Sequence, residues 1–123
     1  MKKRVLALGL DPVFVDPARM GNFTPGLVRA FIEQQLDRVR ALGYEVESCL
    51  VDTGNTAEAE VDRHLRSHQF DCVMFGAGLR DEDRLLLFEK LLNLVHRMAP
   101  GAAICFNTNP ADTVEAVQRW VSR

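Results

Sequence analysis

The feature that most constrains this chain is a fourfold alternation. A short apolar or β-branched run is followed by a loop and then by a longer helical stretch, and the pattern repeats to the end. The apolar runs are 4–10, 45–51, 71–75 and 102–106. The helical stretches are 25–42, 57–69, 82–98 and 110–122. Strands alternating with helices of ten or more residues define βαβ units and a parallel sheet. The runs lack clean polar alternation, as expected of strands covered by helices on both faces.

The helix ends carry matching punctuation. Thr24-Pro25 and Asn109-Pro110 each place a capping side chain before a proline at the first helical position, and Asp112 adds negative charge to the first turn of the last stretch. Gly43 and Pro100-Gly101 close the first and third stretches. Right-handed crossovers then give a three-layer α/β/α sandwich with a four-stranded sheet in the order 2-1-3-4, formed by residues 1–123 as one domain. This resembles the flavodoxin-like arrangement without its fifth strand and helix. The resemblance covers the whole chain as architecture, and it implies a fold and no activity.

The helical faces sort by periodicity. Val28, Phe31, Ile32, Leu36, Val39 and Leu42 form one stripe, with Gln35 inside it needing a partner. The third stretch carries Leu85, Leu87, Phe88, Leu91, Leu92, Leu94, Val95 and Met98 over about half its circumference. Either that helix is flanked by neighbours on both sides, or one flank meets a second subunit in a homodimer. Leu86 on the polar side adds to the second reading. Val114, Val117 and Val121 point inward on the last stretch, and Trp120, near that face, is expected in the core, with an interface as the alternative.

In such sheets ligands bind outside the carboxyl ends of the strands, where the winding reverses. With order 2-1-3-4 that point lies between the first and third strands. The loops there begin at Asp11 and at Gly76-Ala77-Gly78, where bare backbone lets peptide N–H groups approach an anion. Arg80 follows with a guanidinium suited to a bidentate anion contact, and Asn107 stands after the fourth strand. Asp11, Gly76, Gly78, Arg80 and Asn107 are therefore the candidate ligand residues, and a small anionic ligand is the expected partner. The same glycines also serve a plain turn out of a crowded sheet. The loop "DPVFVDPARMGNFT" from Asp11 to Thr24 is long for a βα connection and carries Val13, Phe14, Val15, Met20 and Phe23. It is a lid, a partner surface or a segment packed on its own domain. Asp11 and Asp16 are the acids near the crevice, and Arg19 is a counter-charge there. "DTGNT" and "NTNP", after the second and fourth strands, read as turns with caps.

Known motifs are missing. Asp11-Pro12-Val13-Phe14 is no flavin phosphate loop, and Phe75-Gly76 holds the place of a receiver's phosphoacceptor aspartate. Walker, GxGxxG, CxxC, GxSxG and DxHxxG patterns are absent. His64 and His68 share a helix face at zinc-ligand spacing but lack a third ligand, so they read as rim histidines and no metal is expected. His96 falls on a solvated face. Cys49, Cys72 and Cys105 lie in apolar runs and fit buried, reduced thiols of a cytoplasmic protein; Cys105 is the one nucleophile candidate, set back from any helix start. With 15 basic and 17 acidic residues the formal charge is −2, which gives no reason to expect nucleic acid or anionic lipid. No apolar run reaches the roughly 18 residues of a membrane span, and the charged start before Val5 leads into a first strand. The sequence assigns no reaction and no cofactor. Its two functional readings are binding of a small anionic ligand at the strand ends, and a non-catalytic oligomerisation or docking module using the third helical stretch and the first loop.

Overall fold

A computed structural model describes residues 2–122; Met1 and Arg123 lie outside the described residues. Four parallel strands stand in the order β2-β1-β3-β4: β1 Arg4–Leu10, β2 Glu45–Val51, β3 Cys72–Phe75 and β4 Ala103–Phe106. Five α-helices accompany them: α1 Pro17–Met20, α2 Pro25–Ala41, α3 Ala57–Ser67, α4 Leu85–Met98 and α5 Thr113–Gln118. The register runs from Arg4 opposite Glu45 to Leu10 opposite Val51, and Val5 faces Cys72 across the β1–β3 pair. This is the three-layer parallel α/β arrangement expected of the sequence, consistent at the level of fold with flavodoxin-like proteins.

Alternation along the strands feeds two cores. Leu6, Leu8, Cys49, Val73 and Phe75 point to the α3/α4 face and pack on Val61, Leu65, Leu91 and Val95. Val5, Ala7, Cys72, Met74 and Cys105 point the other way, onto Leu36 and Val39 of α2 and Val114 and Val117 of α5. Every strand interior is therefore sandwiched, which is why the runs look uniformly apolar.

The caps form as their residue types demand. The Leu27 amide donates to Thr24 Oγ1 at 3.1 Å, and the Ala111 amide to the Asn109 side chain at 2.8 Å, with Asp112 completing a reciprocal capping box. Gly43 takes a φ of +104° directly after α2, a backbone state that disfavours any side chain. Buried Gln35 finds its partner in Arg38, whose Nη1 donates to it at 2.8 Å.

Several details depart from the sequence expectation. The third helical stretch opens as a 3-10 turn, Glu82–Arg84, before α4 begins. The last also opens as a 3-10 turn, and α5 stops at Gln118. Backbone hydrogen bonds of helical spacing still carry on to Val121, whose amide donates to the Val117 carbonyl at 3.0 Å, and the Tyr44 hydroxyl donates to the Val121 carbonyl at 2.6 Å. Val121 is buried as expected, but Trp120 is 64% exposed and is no core residue. Phe31 is 41% exposed, because it lies about 80° from the centre of the buried α2 face, whereas Gln35 is about 40° nearer to it. The first loop is built of short helices: a 3-10 turn, Pro12–Phe14, capped by Asp11, and then α1, capped by Asp16. No described helix is long and apolar enough to cross a membrane.

Candidate functional site

At the carboxyl ends of β1 and β3, between the sheet and α2, lies an apolar cavity of about 130 Å³. Its floor is Ala7, Gly9 and Met74. Val28, Ile32 and Leu36 of α2 form one wall, and Pro12 and Val15 of the first loop lie over it. Gly76, Ala77, Gly78 and Asn107 close the remaining side, with Ser48, Asn107 and Thr113 as the polar side chains in the lining. The topology places a crevice here because the chain leaves β1 toward α2 on one face and leaves β3 toward α4 on the other.

Of the five candidate residues, the fold brings Gly76, Gly78 and Asn107 to this cavity. The Gly76 amide donates to the Leu8 carbonyl at 2.8 Å, and a Cβ on Gly76 would stand 3.2 Å from that same oxygen. A Cβ on Gly78 would meet Leu10 Cβ at 3.3 Å. At both positions the backbone approaches β1 more closely than a side chain ordinarily allows, although neither has a positive φ. After Gly76 the chain enters a 3-10 turn, Ala77–Arg80, and the peptide N–H groups of Ala77 and Gly78 have no hydrogen-bond partner among the described residues. Asn107 is 4% exposed; its amide nitrogen donates to Thr113 Oγ1 at 3.3 Å, and Thr113 Oγ1 in turn donates to the Pro110 carbonyl.

Asp11 and Arg80 stand beside the cavity and do not line it. The Asp11 carboxylate accepts from the Val13 amide at 3.1 Å and from Arg29 Nη2 at 2.6 Å. Partial burial works to raise its pKa, but the Arg29 hydrogen bond, the Val13 amide and the Arg29 charge together hold it below the ordinary carboxylate value. Arg80 is turned into the protein. Its guanidinium donates to the strand-end carbonyls of Phe75 and Asn107, reaches the Asn107 side-chain oxygen at 3.4 Å, and lies 5.0 Å over the Phe106 ring. Burial pushes its pKa below the usual guanidinium value, against the charges of Asp112 and Cys105. Arg80 therefore ties the ends of β3 and β4 together, a use that a strand-end arginine does not announce in sequence. Arg19 bonds Asp81 and approaches Asp83 at 3.6 Å, so it bridges the first loop to the turn before α4 and serves neither Asp11, which pairs with Arg29, nor Asp16.

The cavity wall from α2 was legible only as core. Val28, Ile32 and Leu36 form the inward stripe of α2, and periodicity does not distinguish a stripe that fills space from one that lines it.

The other titratable clusters are occupied. His64 and His68 both direct Nδ1 at the Glu47 carboxylate, at 2.9 and 2.6 Å, and Arg4 approaches it at 3.8 Å. No group of three or more metal-ligating side chains occurs among the described residues. A broad, open depression of about 980 Å³ at the amino ends of the strands contains Arg4, His68 and Asp71, whose polar atoms are engaged: Arg4 pairs with Glu45 at 2.6 Å and its amide donates to Asp71 at 2.8 Å. Cys72 and Cys105 lie side by side with their sulfurs 3.4 Å apart, both buried. The hydrogen bond to Cys105, with burial, pushes the Cys72 thiol far up; that bond draws Cys105 down against the effect of burial, with Arg119 and Arg80 assisting. At 2% exposure, however, Cys105 has no approach for a substrate. Burial pushes the Cys49 thiol up to about 11.

No protein-family model matches this chain, and no curated protein matches it.

Proposed function

We infer that this protein binds a small ligand at the carboxyl ends of β1 and β3, with an apolar body in the cavity and an anionic or other acceptor end toward Ala77 and Gly78. The observation that carries this reading is the cavity itself, which opens where this winding accommodates ligands. Its volume approaches the roughly 150 Å³ of a dry engineered cavity that admits benzene, so the ligand body is about six heavy atoms. The unpartnered amides of Ala77 and Gly78 favour an acceptor at the mouth. Two of the three polar side chains in the lining, Asn107 and Thr113, are bonded to each other, which supports binding over catalysis.

Thermal-shift measurement with hexanoate, benzoate, short sugar phosphates and nucleotides tests the reading. At a concentration 100-fold above Kd, linkage stabilises the folded state by about 2.7 kcal/mol, close to 10 °C for a chain of this size. Val28→Phe, which fills the mouth, is expected to abolish the shift. A flat response to every compound at 5 mM, taken as about fifty times a 0.1 mM Kd, counts decisively against it.

The second reading is self-association through α4 and the first loop. It is favoured by the exposure of Leu85 and Leu86 at the start of α4 and of Val13, Phe14 and Phe23 in the loop.

A further inference from the structure

The sheet has two open edges, and they are not alike. On β2 the strand carries Glu45 and Glu47, and Arg40 Nη2 donates to the Val46 carbonyl at 3.0 Å. Charge and a covering side chain are the ordinary protection of an edge. The sequence of β4, Ala103-Ile104-Cys105-Phe106, has no charge.

The backbone of β4 settles which of its groups are free. The Ala103 amide donates inward, to the Asp71 carbonyl at 2.9 Å. By strand alternation the amide and carbonyl of Ile104 point outward, as do those of Ala102 and Phe106. Two of these six groups are already satisfied within the chain. The Ala102 amide donates to the Ala99 carbonyl at 3.0 Å, and the Phe106 carbonyl accepts from Arg119 Nη2 at 2.7 Å. The four left over are the Ala102 carbonyl, the Ile104 amide and carbonyl, and the Phe106 amide.

That remainder is self-complementary. When two antiparallel copies of β4 pair about a two-fold axis at Ile104, each Ile104 amide meets the other Ile104 carbonyl, and each Phe106 amide meets the other Ala102 carbonyl. The two bonds this register forgoes are those whose groups are capped internally.

The helix above agrees with the strand. Phe88 lies 5.8 Å from Phe106, so this flank of α4 faces the β4 edge, while α3 packs on the opposite flank. Along α4, Leu85, Glu89, Leu92 and His96 fall on one line looking past that edge. From Phe106 to Ile104 is about 6.6 Å of strand, equal to about four residues of helix, which brings Leu92 level with the axis. Around it Leu92 meets its symmetry mate, and Glu89 meets His96 of the second copy, twice over. With strands about 4.8 Å apart, the two α4 helices lie about 10 Å apart, at the outer end of the ordinary helix-packing distance.

We propose that a second copy of this chain docks on the β4 edge, joining the two sheets into one of eight strands with α4 packed antiparallel on its mate. The proposal rests on the self-association reading for α4 alone and is independent of the ligand reading. Sedimentation equilibrium of the wild-type chain from 1 to 500 µM tests it. A reversible dimer is expected. Ile104→Pro, which deletes the outward amide at a position where an edge strand accepts proline, and Leu92→Lys, which sets two ammonium groups on the axis, are each expected to weaken it at least tenfold. Glu89→Lys is expected to weaken it, and the exchange Glu89→His with His96→Glu to restore it. Far-UV circular dichroism separates lost association from lost folding. Should either variant unfold, Leu92→Cys is the second measurement: oxidation with copper phenanthroline is expected to yield a cross-linked dimer. A chain monomeric at 500 µM overturns the proposal. So does a dimer broken by Phe23→Glu or Val13→Glu and indifferent to Leu92→Lys, although that result leaves self-association through the first loop standing.

Discussion

Replacing Arg80 with alanine separates two accounts of the same residue. If Arg80 is an anion-binding side chain held ready for a ligand, its removal leaves the stability of the ligand-free protein nearly unchanged. In the structure it instead donates to the Phe75 and Asn107 carbonyls and lies over Phe106. Hydrogen bonds from a charged donor contribute about 1.5–3 kcal/mol each, and a cation over an aromatic ring at a partly exposed site adds about 0.5–1 kcal/mol. Arg80 is only partly buried, so water replaces some of what is lost, and half of the gross sum is a fair discount. The expected loss is then about 2–3 kcal/mol. At about 2.1 cal/mol/K per residue the unfolding entropy of 123 residues is about 0.26 kcal/mol/K, so Tm falls by about 8–12 °C.

Thermal unfolding followed by circular dichroism measures this directly, with urea titration as a second route. Arg80→Lys keeps the charge but lacks the fork that reaches two carbonyls, and it is expected to recover less than half of the loss. An Arg80→Ala protein within about 0.5 kcal/mol of wild type would falsify the structural role and return Arg80 to the ligand site.

Four further outcomes follow from the same contacts. Leu79, fully buried on the α3/α4 face directly after the glycine turn, is expected to cost about 3 kcal/mol as Leu79→Ala, read by urea denaturation. Thr24→Ala removes the acceptor for the Leu27 amide and is expected to lower stability by about 1 kcal/mol, or Tm by about 4 °C. The thiols of Cys49, Cys72 and Cys105 are expected to resist Ellman's reagent at pH 8 in the folded protein and to react fully in guanidinium, since all three are buried; rapid labelling of the native chain contradicts this. Partial burial works to raise the Asp112 pKa, but the hydroxyl and amide of Thr108 and the amide of Asn109 outweigh it and hold the carboxylate below its ordinary value. Because the folded pKa is the lower one, its stabilisation is complete above the unfolded value of about 3.9 and is lost as pH falls below it. Asp112→Asn is accordingly expected to flatten the acid limb of the stability curve below about pH 4, measured by urea midpoints from pH 5 to 2.5.

The four strands and their order were legible because each depends on a local rule. A run with no polar alternation calls for two covered faces, and ten-residue helices between strands force parallel crossovers. Thr24 and Asn109 announce helix starts through side-chain caps that act within four residues, and Gly43 announces a helix end through a positive φ that only a residue without a side chain adopts freely. The glycines of the 76–78 turn read in sequence as bare backbone for an anion or for a turn out of a crowded sheet; the turn is what the structure contains, packed against Leu8 and Leu10 of the adjacent strand. Trp120 is exposed because helical phase itself sets it about 90° around from the centre of the Val114, Val117 and Val121 stripe, a distance at which adjacency in sequence does not mean a shared face.

What the sequence determined by itself was the sandwich, its winding and the rim where the strand ends gather, since these follow from periodicity, propensity and handedness along contiguous residues. Partners more than about ten residues apart were decided only by the tertiary structure. Arg80 turned to the Asn107 carbonyl at the end of β4, Asp11 took Arg29, Arg19 took Asp81, and the inward stripe of α2 became the wall of a cavity. The physical reason is one of range. A long charged side chain reaches any of several acceptors that the fold brings within about 6 Å, and which it takes depends on burial and on competing donors that no local pattern encodes.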